Sequence, residues 1–233
     1  MLGLTNRKLL SGLLGLAFLL GNALEATPVA ARVTPTAHFK HLSVPILGLA
    51  IGHAQRPVGV VSHVIIHFKD RSDQEGLRIR FDTKPGKFSP LAQHAVKWAI
   101  ERVAAAAHLE TLSWTVSLTF PNPGQTMYGE SLSAMVGLSV AALAKGDELI
   151  DGRSITGTIT EDGRIGKVGG IPQKVYAAYD EHLERILIPE EHDVRDDDWQ
   201  IPFLMHVSHV DTVDNAYLAL TGHRLTSSLE SSF

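Results

Sequence analysis

An uncharged, largely apolar run from Leu132 to Leu143 is the feature that most limits how this chain can fold. It follows a loop rich in proline and glycine at 121–124 and ends near Lys145-Gly146, so the sequence predicts a helix with a defined start and stop. Ser131 lies close to the N-terminus of that helix. Free backbone N–H groups and the positive end of the helix dipole there favour a developing oxyanion.

A second segment offers a base for a serine hydroxyl. After Gly169 and Gly170 the chain enters a helix-periodic segment in which Pro172 suits the first turn, and Lys174 lies in the same turn. An ammonium group there meets the unfavourable end of the helix dipole, and partial burial lowers its pKa further. A neutral lysine amine can take a proton from serine, so Ser131 and Lys174 fit a nucleophile and its base.

The remaining hydrophobic patterns predict an α+β fold in which a mixed sheet packs with helices. The predicted strands are Val58 to Phe68, Leu77 to Phe81, Leu112 to Phe120, Arg185 to Ile188 and Leu204 to Val207. Two further helices are predicted, one from Ser89-Pro90 to about Ala107 and one from Asp211, as the cap, to Leu220 with Gly222 just past its end.

Two hairpins are expected from the turn signals. The strands Val58 to Phe68 and Leu77 to Phe81 are predicted to form a hairpin or to lie side by side across the polar turn at 69–76. Asp162-Gly163 predicts a second hairpin, between Ser154 to Thr160 and Arg164 to Val168, which would carry Thr156 on one strand and lead into Lys174 from the other.

These motifs resemble the proteolytic domain of Lon proteases, the S16 serine peptidases. The family's serine lies in an Asp-Gly-Pro-Ser-Ala-Gly motif and its lysine ends a Gly-Gly-Leu-Lys-Glu-Lys motif. Tyr128 to Ser133 and Gly169 to Lys174 stand at those places, and Ser131 and Lys174 are 43 positions apart, as in the family. The family's Thr-Gly-Glu-Ile-Thr segment falls on Thr156 to Thr160. The resemblance covers roughly residues 45 to 222.

The resemblance implies roles for four residues. Ser131 is expected to be the nucleophile and Lys174 the base, while Thr156 is a supporting hydroxyl that helps to hold the lysine. Gly129 lies in the loop whose backbone N–H groups would hold the oxyanion. The implied fold is that of ribosomal protein S5 domain 2, and the implied assembly is a homo-oligomer, by resemblance a hexamer.

The function expected from this resemblance is that of an ATP-independent serine endopeptidase. The substrate would be an unfolded or flexible polypeptide, because the sequence contains no phosphate-binding Gly-x-x-x-x-Gly-Lys-Ser/Thr loop of an ATPase. No cofactor and no metal are expected. The net charge of −4 argues against nucleic acid as the main partner. The chain has no cysteine, which removes thiol catalysis and cysteine-based zinc sites.

Departures from the family motifs keep a second hypothesis open. Tyr128 and Glu130 replace the Asp and Pro of the serine motif, and Pro172 changes the lysine motif. Glu130 beside Ser131 could keep Lys174 protonated through an ion pair and so silence the base. The alternative is therefore a catalytically silenced Lon-like module that serves as a binding or scaffold domain.

Several other residues compete for the same chemical roles. Lys167 is a rival base and Ser133 a rival nucleophile, but the distance in sequence from Ser133 to Lys174 differs by two from the family spacing. The serine loop also approaches the Gly-x-Ser-x-Gly elbow of α/β-hydrolases, although its last glycine is absent. That reading would need an acid and a histidine from Asp193, His206, His209 and Asp211.

Two further patterns are weaker. The segments Glu191-His192-Asp193 and Asp196 to Asp198 match no metal motif and are predicted to be a solvated acidic loop. The glycines at 163, 166, 169 and 170 make no dinucleotide fingerprint, because they follow a hairpin turn rather than closing a βαβ unit.

Residues 1–31 are predicted to be a signal peptide or a signal anchor. Arg7 and Lys8 precede an uncharged run from Leu9 to Leu24, and small residues follow, as in secretory leaders. The protein is therefore expected to be exported, periplasmic or secreted, or membrane-anchored and facing outside the cytoplasm. Residues 32–43 are predicted to be a linker, 44–222 the Lon-like domain and 223–233 a disordered tail.

Overall fold

The computed structural model describes residues 39–52, 55–71, 73–191 and 199–226. Within these ranges eleven strands and four helices follow one another along the chain. The strands are β1 (Phe39–Ile51), β2 (Pro57–Asp70), β3 (Arg78–Phe81), β4 (Lys87–Phe88), β5 (Trp114–Thr119), β6 (Thr126–Met127), β7 (Arg153–Ile155), β8 (Thr158–Ile159), β9 (Ile165–Gly166), β10 (Arg185–Pro189) and β11 (His206–Val210). The helices are α1 (Pro90–Ala106), α2 (Ser133–Lys145), α3 (Ile171–Asp180) and α4 (Val213–Thr221).

The strands form one mixed sheet, one parallel sheet and two short pairs. The mixed sheet has the order β1-β2-β5-β3, in which β1, β2 and β5 are antiparallel neighbours and β3 runs parallel to β5. The parallel sheet has the order β11-β10-β7. The strand β4 pairs with β6, and β8 pairs with β9. This arrangement confirms the predicted α+β class with a mixed sheet.

The helix α2 lies at the centre of the core. Every residue from Leu132 to Leu143 is buried, as expected for a helix with no charged face. Its neighbours include α1, the β1–β2 hairpin and α4. The backbones of α1 and α2 approach closely at Gly137, where a Cβ atom would lie 3.0 Å from the Ala99 carbonyl. The predicted end of this helix is confirmed, since Gly146 caps it with a left-handed φ of 81°.

The helix predicted to begin at Ser89-Pro90 is confirmed. Ser89 is the N-cap of α1, and its Oγ accepts a hydrogen bond from the Ala92 N–H at 3.2 Å. The predicted cap of the last helix is wrong by one residue. Thr212 caps α4 and accepts from the Asn215 N–H, whereas the Asp211 carboxylate accepts from the Asn215 side chain at 2.8 Å.

The predicted pairing of the strands Val58 to Phe68 and Leu77 to Phe81 is wrong. Both strands exist, as β2 and β3, but β5 lies between them. One edge of β2 is occupied by the long strand β1 and the other by β5. The strand β3 therefore pairs with the far edge of β5. The residues before Val58 form the unpredicted strand β1, and the β2 edge that β1 occupies is not available to β3.

The predicted domain boundaries also need correction at both ends. The strand β1 begins at Phe39, which pairs with Lys69, so residues 39–43 belong to the folded domain and not to a linker. At the other end Leu225 is 2% exposed, and its N–H donates to the Asp214 carboxylate at 2.9 Å. The predicted tail is therefore packed at its start. Residues 1–38 and 227–233 lie outside the described ranges.

The α4 helix is joined to the end of α2 by a partly buried hydrogen bond. The Tyr217 hydroxyl, on a fully buried side chain, donates to Asp147 Oδ2 at 2.6 Å, and Lys145 Nζ lies 3.4 Å from the same oxygen. Burial alone raises the pKa of Asp147. The Tyr217 hydrogen bond and the Lys145 charge outweigh that effect, so this pKa lies below its usual range.

Tyr217→Phe is expected to lower the free energy of unfolding by about 1–3 kcal/mol at neutral pH, because it removes the shorter of the two contacts that a partly buried carboxylate makes with donors. A carboxylate whose pKa is lowered by folding stabilises the folded state at pH values above its unfolded-state pKa. This stabilisation is lost as the pH falls through its folded-state pKa. The loss should therefore shrink below about pH 4. Urea unfolding at neutral pH and below about pH 4 measures this loss. Replacement of the exposed Tyr179 by phenylalanine is the control, and it should leave the free energy of unfolding unchanged at either pH. An equal loss at both pH values would contradict it.

Candidate active site

Ser131 lies in the loop between β6 and α2, two positions before the first residue of the helix. The cap of α1 holds the start of this loop: the Ser89 N–H donates to the Met127 carbonyl at 2.8 Å, and Ser89 Oγ donates to the Tyr128 carbonyl at 3.1 Å. The Ser131 side chain is half-buried, and its Oγ donates to the Leu47 carbonyl of β1 at 3.4 Å. The predicted place of Ser131 near a helix N-terminus is confirmed.

The loop that contains Ser131 has backbone N–H groups that could act as donors. Among the hydrogen bonds of the described ranges, none has the N–H of residues 129–132 as its donor. The next two N–H groups are used, since Ser133 donates to Glu130 and Ala134 donates to Gly157. Unoccupied N–H groups just ahead of a helix are the type of donor that can stabilise an oxyanion.

Lys174 is the fourth residue of α3, and its N–H closes the first turn by donating to the Gly170 carbonyl at 3.1 Å. Its side chain is only 3% exposed. It lies on the same helix face as Ile171, Val175 and Ala178, which are buried in a satellite apolar cluster. The Nζ donates to Thr156 Oγ1 at 3.0 Å. Burial of this kind penalises the charged ammonium form relative to the neutral amine.

Thr156 follows β7 directly and is fully buried. The expectation that it lies on a hairpin strand is wrong. The hairpin is the shorter pair β8–β9, with Gly163 in its turn, while β7 belongs to the parallel sheet beside β10. The Thr156 N–H donates to the Leu187 carbonyl of β10 at 3.1 Å, so the parallel sheet holds the backbone that carries its hydroxyl.

The structure brings Thr156 and Lys174 together and joins the segment after Thr156 to the loop of Ser131. Thr156 and Lys174 are in direct contact, and the residue after Thr156 binds the serine loop: the Gly157 N–H donates to the Ser131 carbonyl at 3.0 Å. Leu47 joins both sides, since its carbonyl accepts from Ser131 and its side chain lies in the apolar cluster of α3. Leu47 is not among the predicted site residues. The apolar residues Val44, Ile46 and Leu47 before the first predicted strand were the available signal for β1.

The rival residues have other surroundings. The Lys167 side chain is 62% exposed, and its Nζ lies 3.3 Å from the Glu191 carboxylate. Ser133 is 1% exposed, and within the described ranges its Oγ has no hydrogen-bond partner. Glu130 lines a small cleft of about 170 Å³ beside α1, together with Trp98, Arg102 and Ser133.

The α/β-hydrolase reading would draw on residues at the end of β11. The Asp211 carboxylate there is bonded to Asn215, and Asp193 lies outside the described residues. In the described part of the chain no group of three or more histidine, aspartate or glutamate side chains could hold a metal ion. No helix there is long and apolar enough to cross a membrane.

Comparison with known proteins gives the same family as the site motifs. Residues 103–220 match the model of the Lon protease (S16) C-terminal proteolytic domain. Among curated proteins the chain is similar to "Lon protease homolog 2, peroxisomal" from Bos taurus, at 29% identity over 163 residues. It is also similar to the proteins of that name from Xenopus laevis, at 28% over 163 residues, and Danio rerio, at 30% over 162 residues.

Each of these alignments covers 66% of this chain and 18% of the relative, so the chain corresponds to under a fifth of the relatives' length. The family model spans half of the chain, from within α1 to the last turns of α4. It includes Ser131, Thr156 and Lys174. The predicted resemblance is thus confirmed, and the chain belongs to the family of Lon protease (S16) C-terminal proteolytic domains.

Proposed function

We propose that this chain is a serine-type endopeptidase with Ser131 as its nucleophile and Lys174 as its general base. The observation that carries the proposal is the buried Lys174 side chain, whose Nζ contacts Thr156 Oγ1 at 3.0 Å next to the loop that holds Ser131. A lysine is seldom buried unless a partner or a function requires it. Membership of the Lon proteolytic-domain family supports the same activity class.

The reaction follows from these positions. Neutral Lys174 takes the proton of Ser131 Oγ as that oxygen attacks the carbonyl carbon of a peptide bond. The backbone N–H groups of residues 129–132 stabilise the negative charge on the carbonyl oxygen. The protonated Lys174 then gives its proton to the leaving amine as the C–N bond breaks. A water molecule, deprotonated by Lys174, then attacks the carbonyl carbon of the acyl ester. The ester C–O bond breaks, and the Ser131 oxygen takes the proton back from Lys174.

Thr156 positions the base in this scheme. A lysine side chain has four rotatable bonds, and a hydrogen bond to a buried hydroxyl removes part of that freedom. The backbone of Thr156 is held in place by its bond to β10. The threonine can accept from Lys174 in either protonation state, so it holds the amine near Ser131 throughout the cycle.

The substrates we propose are unfolded or flexible polypeptides, cleaved without ATP. The sequence contains no phosphate-binding loop that would supply an unfolding motor. We further propose a homo-oligomer, as in the hexamers of the family, and an exported or membrane-anchored location based on the charge and apolar pattern of residues 1–31. The substrates, the ATP independence, the assembly and the location are proposed for this chain, because the curated relatives are much longer than it.

A serine-directed phosphonate tests the activated nucleophile directly. The full chain is incubated with an excess of the reagent, and the adduct is mapped by mass spectrometry. We expect one adduct on Ser131, its complete loss in Ser131→Ala and in Lys174→Ala, and its retention in Ser133→Ala. The last variant is the matched control, because Ser133 lies two positions away and is buried.

An adduct that persists in Lys174→Ala would contradict the role of the lysine. No adduct on a folded and assembled wild-type chain would instead favour the alternative function, a silenced binding or scaffold module. The observation behind that alternative is the change of the residues around Ser131 to Tyr128 and Glu130. Tyr128 lies in the loop that contains Ser131 and is 70% exposed.

A further inference from the structure

The surface of α3 opposite to Lys174 carries exposed apolar side chains. The helix contributes Tyr176 and Tyr179, and the segment before β11 contributes Ile201, Phe203 and Leu204; we call these five residues the aromatic surface. Phe203 is 83% exposed and Leu204 78%, and the other three are between 44% and 49% exposed. Isolated apolar residues are common on protein surfaces, but a contiguous group usually marks an interaction site.

The two parts of the aromatic surface are tied to each other. The Tyr176 hydroxyl donates to the Gln200 carbonyl at 2.9 Å, and its ring meets the Trp199 ring edge-on with the centroids 6.2 Å apart. Below them Met205 is buried, and its N–H donates to the Pro202 carbonyl. The turn that exposes Phe203 and Leu204 is therefore anchored to α3, so both side chains are presented on a fixed support.

The electrostatic surroundings of the aromatic surface are acidic. The described residues 176–191 and 199–204 contain five aspartates and glutamates but only one arginine. Among them Asp180, Glu181 and Glu190 are exposed next to α3 or at the end of β10. A negative potential attracts cationic partners and repels anionic ones. It therefore disfavours docking on an anionic lipid surface, and also a two-fold contact that would bring two acidic surfaces together.

We propose that the aromatic surface binds polypeptide segments that combine apolar side chains with lysine or arginine, and so retains substrates on the outer face of the helix that carries Lys174. The inference rests on the proposed peptidase function and adds a substrate preference to it. The helix α3 provides the connection: with a rise of ~1.5 Å per residue, Tyr176 and Tyr179 lie within about 8 Å of Lys174 along the helix axis. Lys174 points into the buried side of that helix and the tyrosines lie on its exposed side.

The test measures binding in a chain that cannot cleave its ligand. Full-length protein with Ser131→Ala is titrated into three fluorescent unstructured peptides of equal length, one with phenylalanine and lysine, one with phenylalanine and glutamate and one with serine and lysine. We expect the first to bind at least about tenfold more tightly than the other two, and its affinity to fall with added salt.

The double variant Phe203→Ser/Leu204→Ser should weaken binding of the phenylalanine–lysine peptide by about tenfold or more, since it removes the two most exposed apolar contacts. The matched control is Leu91→Ser/Leu112→Ser, which removes two apolar side chains of about 50% exposure elsewhere. That control should bind like the parent. Equal binding by the two double variants would overturn the proposal, as would equal affinity for the lysine and glutamate peptides.

The same variants also test two other partners for the aromatic surface, a second copy of the chain and a lipid surface. If Phe203→Ser/Leu204→Ser changes only the oligomer mass in light scattering, the surface is a contact between copies of the chain, which overturns the proposal. If it changes only co-sedimentation with phosphatidylcholine–phosphatidylglycerol vesicles, the surface contacts lipid, which also overturns it. Peptide binding is measured in the Ser131→Ala chain and does not need an active nucleophile. The binding result and the phosphonate result can therefore fail independently of each other.

Discussion

Replacement of Lys174 by methionine is expected to lower kcat/KM for a fluorogenic peptide by about 10²–10⁴-fold, the usual contribution of a general base. Methionine is of similar length and apolar, so it fills the buried space among Ile171, Val175 and Ala178 without a charge. The Thr156 hydroxyl that accepted from Lys174 can reorient. The variant therefore removes the base with little loss of packing.

The measurement is the hydrolysis rate as a function of pH, for the wild type and for Lys174→Met, with thermal unfolding to show that both are folded. Wild-type activity should rise with pH as the amine loses its proton, and this limb should be absent from the residual activity of the variant. Lys167→Met is the matched control: this lysine is exposed and paired with Glu191, and its loss should leave the profile unchanged. A full profile in Lys174→Met would refute the assignment of the base.

Gly59→Ala is expected to have the largest effect of any single methyl group added near the site. A Cβ atom on Gly59 of β2 would lie 1.8 Å from the Gln173 carbonyl oxygen and 3.0 Å from the Ala177 Cβ. The clash is with the backbone of the first turn of α3, which can move only together with the helix. Overpacking of this kind costs about 1–3 kcal/mol, or more when a backbone has to shift.

Displacement of α3 by the added methyl group should also reduce catalysis, because Gln173 immediately precedes Lys174. A shift of about 1 Å in a catalytic group can lower the rate by about 10²-fold. We expect Gly59→Ala to lower both the free energy of unfolding in urea and the rate of phosphonate labelling at Ser131. Gly48→Ala is the control in the neighbouring strand, where a Cβ would lie an ordinary 3.5 Å from the Val60 side chain. Labelling at the wild-type rate in Gly59→Ala would show that the contact does not position Lys174.

The candidate site was predictable as far as it depends on short motifs. The glycine–serine loop ahead of an apolar run, and the glycine pair ahead of a helix with Pro172, are each encoded within a few residues. These motifs and their spacing carried the resemblance to the family, and the structure places Lys174 in contact with Thr156, as the resemblance implies. The carbonyl of Leu47 and the link from Gly157 to the serine loop were not predictable in this way, because a backbone contact between distant segments leaves no pattern in the side chains.

Local patterns were enough to predict the helices, the caps at Ser89, Gly146 and Gly222, and the order of the candidate site motifs, because capping and helix periodicity involve residues only three or four positions apart. Which strands are neighbours depends on contacts between distant segments. An alternating strand such as β3 has two equivalent edges, and its partner depends on which edges other strands have already occupied. For the same reason the buried place of Thr156 followed from the pairing of β7 with β10 and not from the turn at Asp162-Gly163.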